Sequence, residues 1–126
     1  MNAFKKLSLA LFLILFSCHL LQAKTDDDQY TDTVIKTIKV GDGIYMLMGK
    51  GGNIGISAGE DGVFMIDDQF APLTEKIKAA VAKISDKEIR FVINTHYHFD
   101  HTGGNENFGK EEVIIVAHDT VRKRMS

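Results

Sequence analysis

Apolar residues recur at two different periods along this chain. Val34, Ile38 and Val40 share one parity with Lys36, while Ile35, Thr37 and Lys39 lie opposite, the alternation of a half-buried strand. Gly41-Asp42-Gly43 is a turn signal, and Ile44 to Met48 reads as the hairpin partner. Asn53 to Ala58 and Val63 to Ile66, separated by Gly59-Glu60-Asp61-Gly62, predict two more short strands. The period then lengthens. Pro72, with Thr74 and Glu75 behind it, opens a helix on which Ile77, Ala80, Val81 and Ile84 repeat at helical spacing, leaving Lys76, Lys78 and Lys83 as a solvated surface. Phe91 to Asn94 is a short β-branched run, as in a strand covered on both faces. Asn105 to Phe108 predicts a helical turn and Val113 to Ala117 another buried strand. Asp119 is placed to cap a helix that begins at Val121 and exposes Arg122-Lys123-Arg124.

Strands, then a helix, then strands returning beside their predecessors predict an α/β (α+β) mixed sheet with covering helices. With 126 residues, the chain has room for one domain at most, placed here at residues 34–126. Ahead of it, Lys5 and Lys6 precede the apolar run Leu7 to Phe16 and the small residue Ala23, the order of a cleavable signal peptide over residues 1–23. That run is short for a membrane span of roughly 20 residues, so the expected product is periplasmic or secreted and off the membrane once cut after Ala23. Cys18, the single cysteine, offers lipidation as a minor alternative and leaves the mature chain without a disulfide or a thiolate ligand. Residues 24–33, with Asp26-Asp27-Asp28, read as a solvated, flexible lead-in. Removing residues 1–23 takes away two lysines and no acid, leaving 13 basic against 17 acidic residues, a net charge of −4. That balance argues against a nucleic-acid partner and leaves a small-molecule substrate as the expected one.

The chemistry concentrates in His96-Tyr97-His98-Phe99-Asp100-His101, three imidazoles and a carboxylate at the end of the Phe91–Asn94 strand. If the backbone stays extended through Tyr97, His96 and His98 fall on one side, and Asp100 and His101 follow as the chain turns. These donor types suit Zn²⁺. Gly103-Gly104 supplies a flexible turn. Gly49-Lys50-Gly51-Gly52 lacks the lysine-hydroxyl ending and the helix of a phosphate loop, so a nucleotide is not expected there. His118 stands alone and reads as a polar loop or cap residue rather than a ligand.

His96-x-His98-x-Asp100-His101, preceded by a strand and followed by Thr102-Gly103-Gly104-Asn105, resembles the signature of the metallo-β-lactamase superfamily. Gly51-Gly52-Asn53-Ile54-Gly55 and Asp61-Gly62-Val63-Phe64-Met65-Ile66-Asp67 resemble that family's first half. The resemblance implies the first half of an αββα sandwich. It also implies a metal centre in which His96 and His98 hold a first zinc ion and Asp100 and His101 a second. Asp100 would serve as the catalytic carboxylate that orients the attacking water, with Asp67 as a support behind the ligands and the 49–52 loop near the mouth of the site. The remaining ligands of such a centre would lie beyond Ser126, so this chain reads as an incomplete, inactive part of the enzyme. The implied reaction is hydrolysis of an ester, thioester, lactone or lactam-like bond. A metal lowers the pKa of its bound water from about 15.7 towards 7. Diiron members place a carboxylate where His98 stands, which favours zinc here. The competing readings are a sulfur dioxygenase type of oxidoreductase on the same fold and a non-catalytic secreted metal-binding module.

Overall fold

The computed structural model describes residues 26–126; the leader and Cys18 lie outside the described residues. Six strands form one sheet in chain order: β1 (Lys36–Gly41), β2 (Ile44–Met48), β3 (Ile54–Gly59), β4 (Gly62–Ile66), β5 (Ile89–Asn94) and β6 (Ile114–Ala117). β1 to β4 are antiparallel neighbours, joined by tight turns at β1–β2 and β3–β4 and by the glycine loop between β2 and β3, whereas β4, β5 and β6 run parallel. Parallel neighbours require crossovers, and the chain supplies them with α1 (Thr74–Ala82) and then with α2 (Phe99–Thr102) and α3 (Asn105–Lys110). A last helix, α4 (Asp119–Met125), follows β6. Among the described residues, no helix is long and apolar enough to cross a membrane.

The strand pairing sorts side chains by parity. Tyr45, Ile56, Met65, Val92 and Ile115 lie side by side in register across five strands. Ile56, Met65 and Val92 are buried, and they share one core cluster with Leu73, Ile77, Ala80 and Val81 from the α1 region and with Phe108 of α3. Pro72 sits in a 3₁₀ turn, Ala71–Leu73, ahead of α1, where its missing N–H removes no helical bond.

The opposite parity gives a second row, Ile38, Met46, Gly55, Ile66, Ile93 and Val116, with Phe64 stacked on Phe91 beside it. Among the described residues, helices cover only the first face. Ile66, Ile93 and Val116 are 47%, 41% and 42% exposed. The expectation that β5 is covered on both faces therefore fails in these residues, and the β1 parity of Val34, Ile38 and Val40 belongs to this open face, where Val34 and Val40 are exposed.

Three local expectations are corrected. The lead-in forms a 3₁₀ turn, Asp26–Tyr30, and although Asp27 and Asp28 are exposed, Tyr30 packs into the core 5.0 Å from the Phe70 ring. Lys76 holds this segment: its ammonium donates to the carbonyls of Tyr30, Thr31 and Thr33 at 3.0, 2.5 and 2.9 Å. It is thus a bracket, because three carbonyls converging at one point need a compact donor with three protons. The third correction concerns α4, which starts at Asp119 rather than Val121. His118 caps it, Nδ1 accepting from the Thr120 N–H at 3.2 Å. An N-cap must stand one residue before the helix, and Asp119 is already inside it.

Candidate metal centre

The centre is built where β4 and β5, parallel neighbours, both end. Asp67 continues the pairing by donating its N–H to the Ile93 carbonyl at 3.0 Å, then leaves the strand with φ +65°. On β5, buried Asn94 exchanges two side-chain hydrogen bonds with Asn105 of α3, at 3.1 and 2.8 Å. This amide pair closes the segment 95–104 at its base, so the intervening loop is held at both ends.

Within the loop the chain bends at residues 95–97 instead of staying extended. His98 then takes up the N-cap position of α2, its carbonyl accepting from His101 N–H and Thr102 N–H at 2.9 and 3.1 Å. Gly103 and Gly104 have φ of −66° and −80°, so they are not there for left-handed freedom. They are there for space. A Cβ on Gly103 would lie 2.7 Å from the Phe99 carbonyl oxygen, and one on Gly104 would lie 3.0 Å from the Asp68 carboxyl carbon.

Asp67, His96 and His101 each offer one ligand atom within 4.8 Å of the others. The proton positions follow from the hydrogen bonds. Asp67 Oδ1 accepts from the Thr95 N–H at 2.8 Å, and Oδ2 accepts from the Thr95 hydroxyl at 2.7 Å and from His101 Nδ1 at 2.7 Å. Because Thr95 Oγ1 gives its only proton to Asp67, its 2.9 Å contact with His96 Nδ1 requires that nitrogen to be the donor. Both imidazoles therefore carry a proton on Nδ1, and Nε2 is the nitrogen that the Asp67–Thr95 network leaves unused. A histidine that ligates a metal through Nε2 donates from Nδ1 in this way, and a carboxylate behind Nδ1 fixes the tautomer and raises the basicity of the other nitrogen.

The four residues of the motif are close but not equivalent. The His96 and His101 rings are 4.0 Å apart between centroids, and His96 and His98 stand edge-on at 4.9 Å. Asp100 Oδ2 is 3.4 Å from His101 Nε2. His98 and Asp100 thus flank the three-residue group without joining it, and His96 sits with His101 rather than with His98. Asp67 has both oxygens occupied by Thr95 and His101, the geometry of a support. The donor set, imidazoles with carboxylates to either side, fits a divalent cation of borderline hardness.

Two buried polar residues beside the centre, Asp68 and Gln69, are missed by the sequence patterns. Asp68 is fully buried; its Oδ1 accepts from the Gly104 N–H at 2.9 Å while Oδ2 has no partner among the described residues. Burial pushes its carboxyl up to about 7, against the lowering effect of the Gly104 N–H and helped by the charge of Asp67. Gln69 is also fully buried, with φ +57°, and donates its side-chain amide to the Gly52 carbonyl. Alternation patterns see only apolar runs, so a buried polar pair after a strand is invisible to them; the repeated acid Asp67-Asp68 is the one hint available.

The Metallo-beta-lactamase superfamily profile matches residues 48–126. No curated protein matches the chain. Among solved structures, the metallo-β-lactamase FIM-1 from Pseudomonas aeruginosa, in its mono-zinc form, superposes with a TM-score of 0.66 at 19% identity over 73% of this chain and 45% of its own. BJP-1, a subclass B3 metallo-β-lactamase of Bradyrhizobium japonicum, gives 0.62 at 28% identity over 70% of this chain and 34% of its own. A metallo-β-lactamase from Hirschia baltica gives 0.62 at 25% identity over 73% and 47%. The chain thus spans less than half the length of these structures. With the profile match running from β2 to the last residue and the mixed sheet shared with these enzymes, the chain belongs to the metallo-β-lactamase superfamily.

Proposed function

We propose that this chain carries the first half of the zinc centre of an exported hydrolase, which attacks an ester, thioester, lactone or lactam-like bond of a small molecule with activated water. The observation that carries the reading is the Asp67–Thr95 network, which engages Nδ1 of both His96 and His101 and leaves Nε2 as the unused nitrogen of two neighbouring rings. His96, with His98 beside it, would hold one ion; His101 with Asp100 would hold a second. Zinc is favoured over iron by the imidazole-rich donor set and by the mono-zinc form of FIM-1. When bound, such an ion supplies water of near-neutral pKa and a Lewis acid for a carbonyl or phosphoryl oxygen.

The chain's own residues do the rest. Asp67 retains the Nδ1 proton of His101 and, through the Thr95 hydroxyl, that of His96, so neither ring can turn its nitrogens over. Asp100, partly exposed at the rim, is the carboxylate placed to orient an attacking water and accept its proton. The reading includes the open sheet face. An apolar row across six strands is costly in water at roughly 25 cal/mol per Å². In the working protein we place a second sheet of an αββα sandwich on it, bringing the remaining ligands. Residues 1–23 serve as the leader, with maturation after Ala23.

Metal analysis of the purified chain tests the centre: bound zinc that disappears in His96→Ala supports it, and equal zinc content in the two proteins defeats it. A panel of lactam, thioester, lactone and phosphodiester substrates, applied to the protein with its complete sheet pair, then selects the reaction.

A further inference from the structure

We propose that Gln69 and the glycine loop 49–52 form a clamp that fixes the His101 imidazole, with Gly52 as the residue in contact with the ring. The purpose assigned to this clamp rests on the metal reading above; its geometry does not.

Gly52 approaches the ring so closely that a Cβ there would lie 2.6 Å from His101 Nε2 and 2.9 Å from Nδ1. A Cβ on Gly51, whose φ is +98°, would lie 2.8 Å from Asp100 Cβ. On Gly49 it would lie 2.5 Å from Gln69 Oε1 and 2.7 Å from Ile35 Cδ1. Each of the three glycines therefore closes on a different neighbour, and two of those neighbours belong to the metal motif. This is a backbone wall laid against the site, and only residues without side chains can form it.

Gln69 holds the wall in place. Its amide donates to the Gly52 carbonyl, 17 residues earlier in sequence, and its own carbonyl accepts from the Gly104 N–H at 3.2 Å, on the far side of the metal loop. One residue thus ties together the loop before the site and the turn after it. Two costs are accepted there: a left-handed backbone at a non-glycine residue and a buried Oε1 with no partner among the described residues. Strain of this kind persists where the surroundings over-determine it, and here the surroundings are the two segments that bracket His101. With Gly52 on one side, Asp67 2.7 Å from Nδ1 and the His96 ring 4.0 Å away, the imidazole is oriented before any ion arrives.

The test compares Gly52→Ala and Gln69→Met, which keeps the side-chain length but removes the amide donor, with Gly59→Ala, a control whose Cβ meets nothing within 4 Å. Two quantities are read: the His101 Cε1–H resonance in metal-free protein, and zinc affinity by competition with a chelator. Both test variants are expected to shift the resonance and to weaken zinc binding about 10-fold or more, as residues behind metal ligands do, while the control matches the parent. A folded Gly52→Ala protein with parental resonance and affinity overturns the clamp. If Gly52→Ala does not fold, Gln69→Met decides by the same two readouts. If the parent binds no zinc, the metal reading fails by itself and the metal-free resonance still decides the clamp.

Discussion

Asp67 Oδ2 lies 2.7 Å from Nδ1 of His101, joining the end of β4 to the metal loop across 34 residues of sequence. The same carboxylate receives both the backbone N–H and the hydroxyl of Thr95. One side chain thereby sets the tautomer of two histidines.

Asp67→Asn keeps the shape but presents an NH₂ to one of the three donors that Asp67 now satisfies. Zinc affinity is expected to fall about 10- to 100-fold, with little change in far-UV circular dichroism; a chelator competition titration reads it.

Asp68 supplies a pH dependence. Its folded carboxyl titrates near 7 and its unfolded one near 3.8, so between those values the folded state holds more protons than the unfolded state. Stability is therefore full at low pH as far as this group is concerned and is lost as pH rises through 7. Asp68→Asn, which keeps the acceptor for Gly104, is expected to raise the urea midpoint of metal-free protein at pH 8 and to leave it nearly unchanged at pH 4.

Much of this architecture is readable in sequence. Period-two runs locate the strands to within two residues, and the spacing of Ile77, Ala80, Val81 and Ile84 gives α1. What hides is polar and long-range. Lys76 looks like any solvated helix lysine until the lead-in carbonyls converge on it. The motif His96-x-His98 suggests a pair, yet the bend at 95–97 sets His96 against His101. Parity names the two faces of a strand without saying which one a helix will cover, so Val40 reads as buried and is exposed.

Lys76→Met should release the lead-in. With three charge-assisted bonds to carbonyls lost and those carbonyls left to water, a destabilisation of about 1–3 kcal/mol is expected in urea unfolding, accompanied by faster proteolysis near Tyr30.

The open sheet face predicts self-association. Replacing both Ile66 and Ile93 with Lys is expected to reduce dye binding and light scattering without lowering the urea midpoint by more than about 1 kcal/mol, since neither side chain is in the core.

The most direct measurement is ¹⁵N histidine spectroscopy of the chain during zinc titration. Presentation of Nε2 predicts that zinc moves the Nε2 resonances of His96 and His101 while both Nδ1 protons remain in place. Zinc that leaves these two nitrogens untouched, or that displaces the Nδ1 protons instead, contradicts the centre described here.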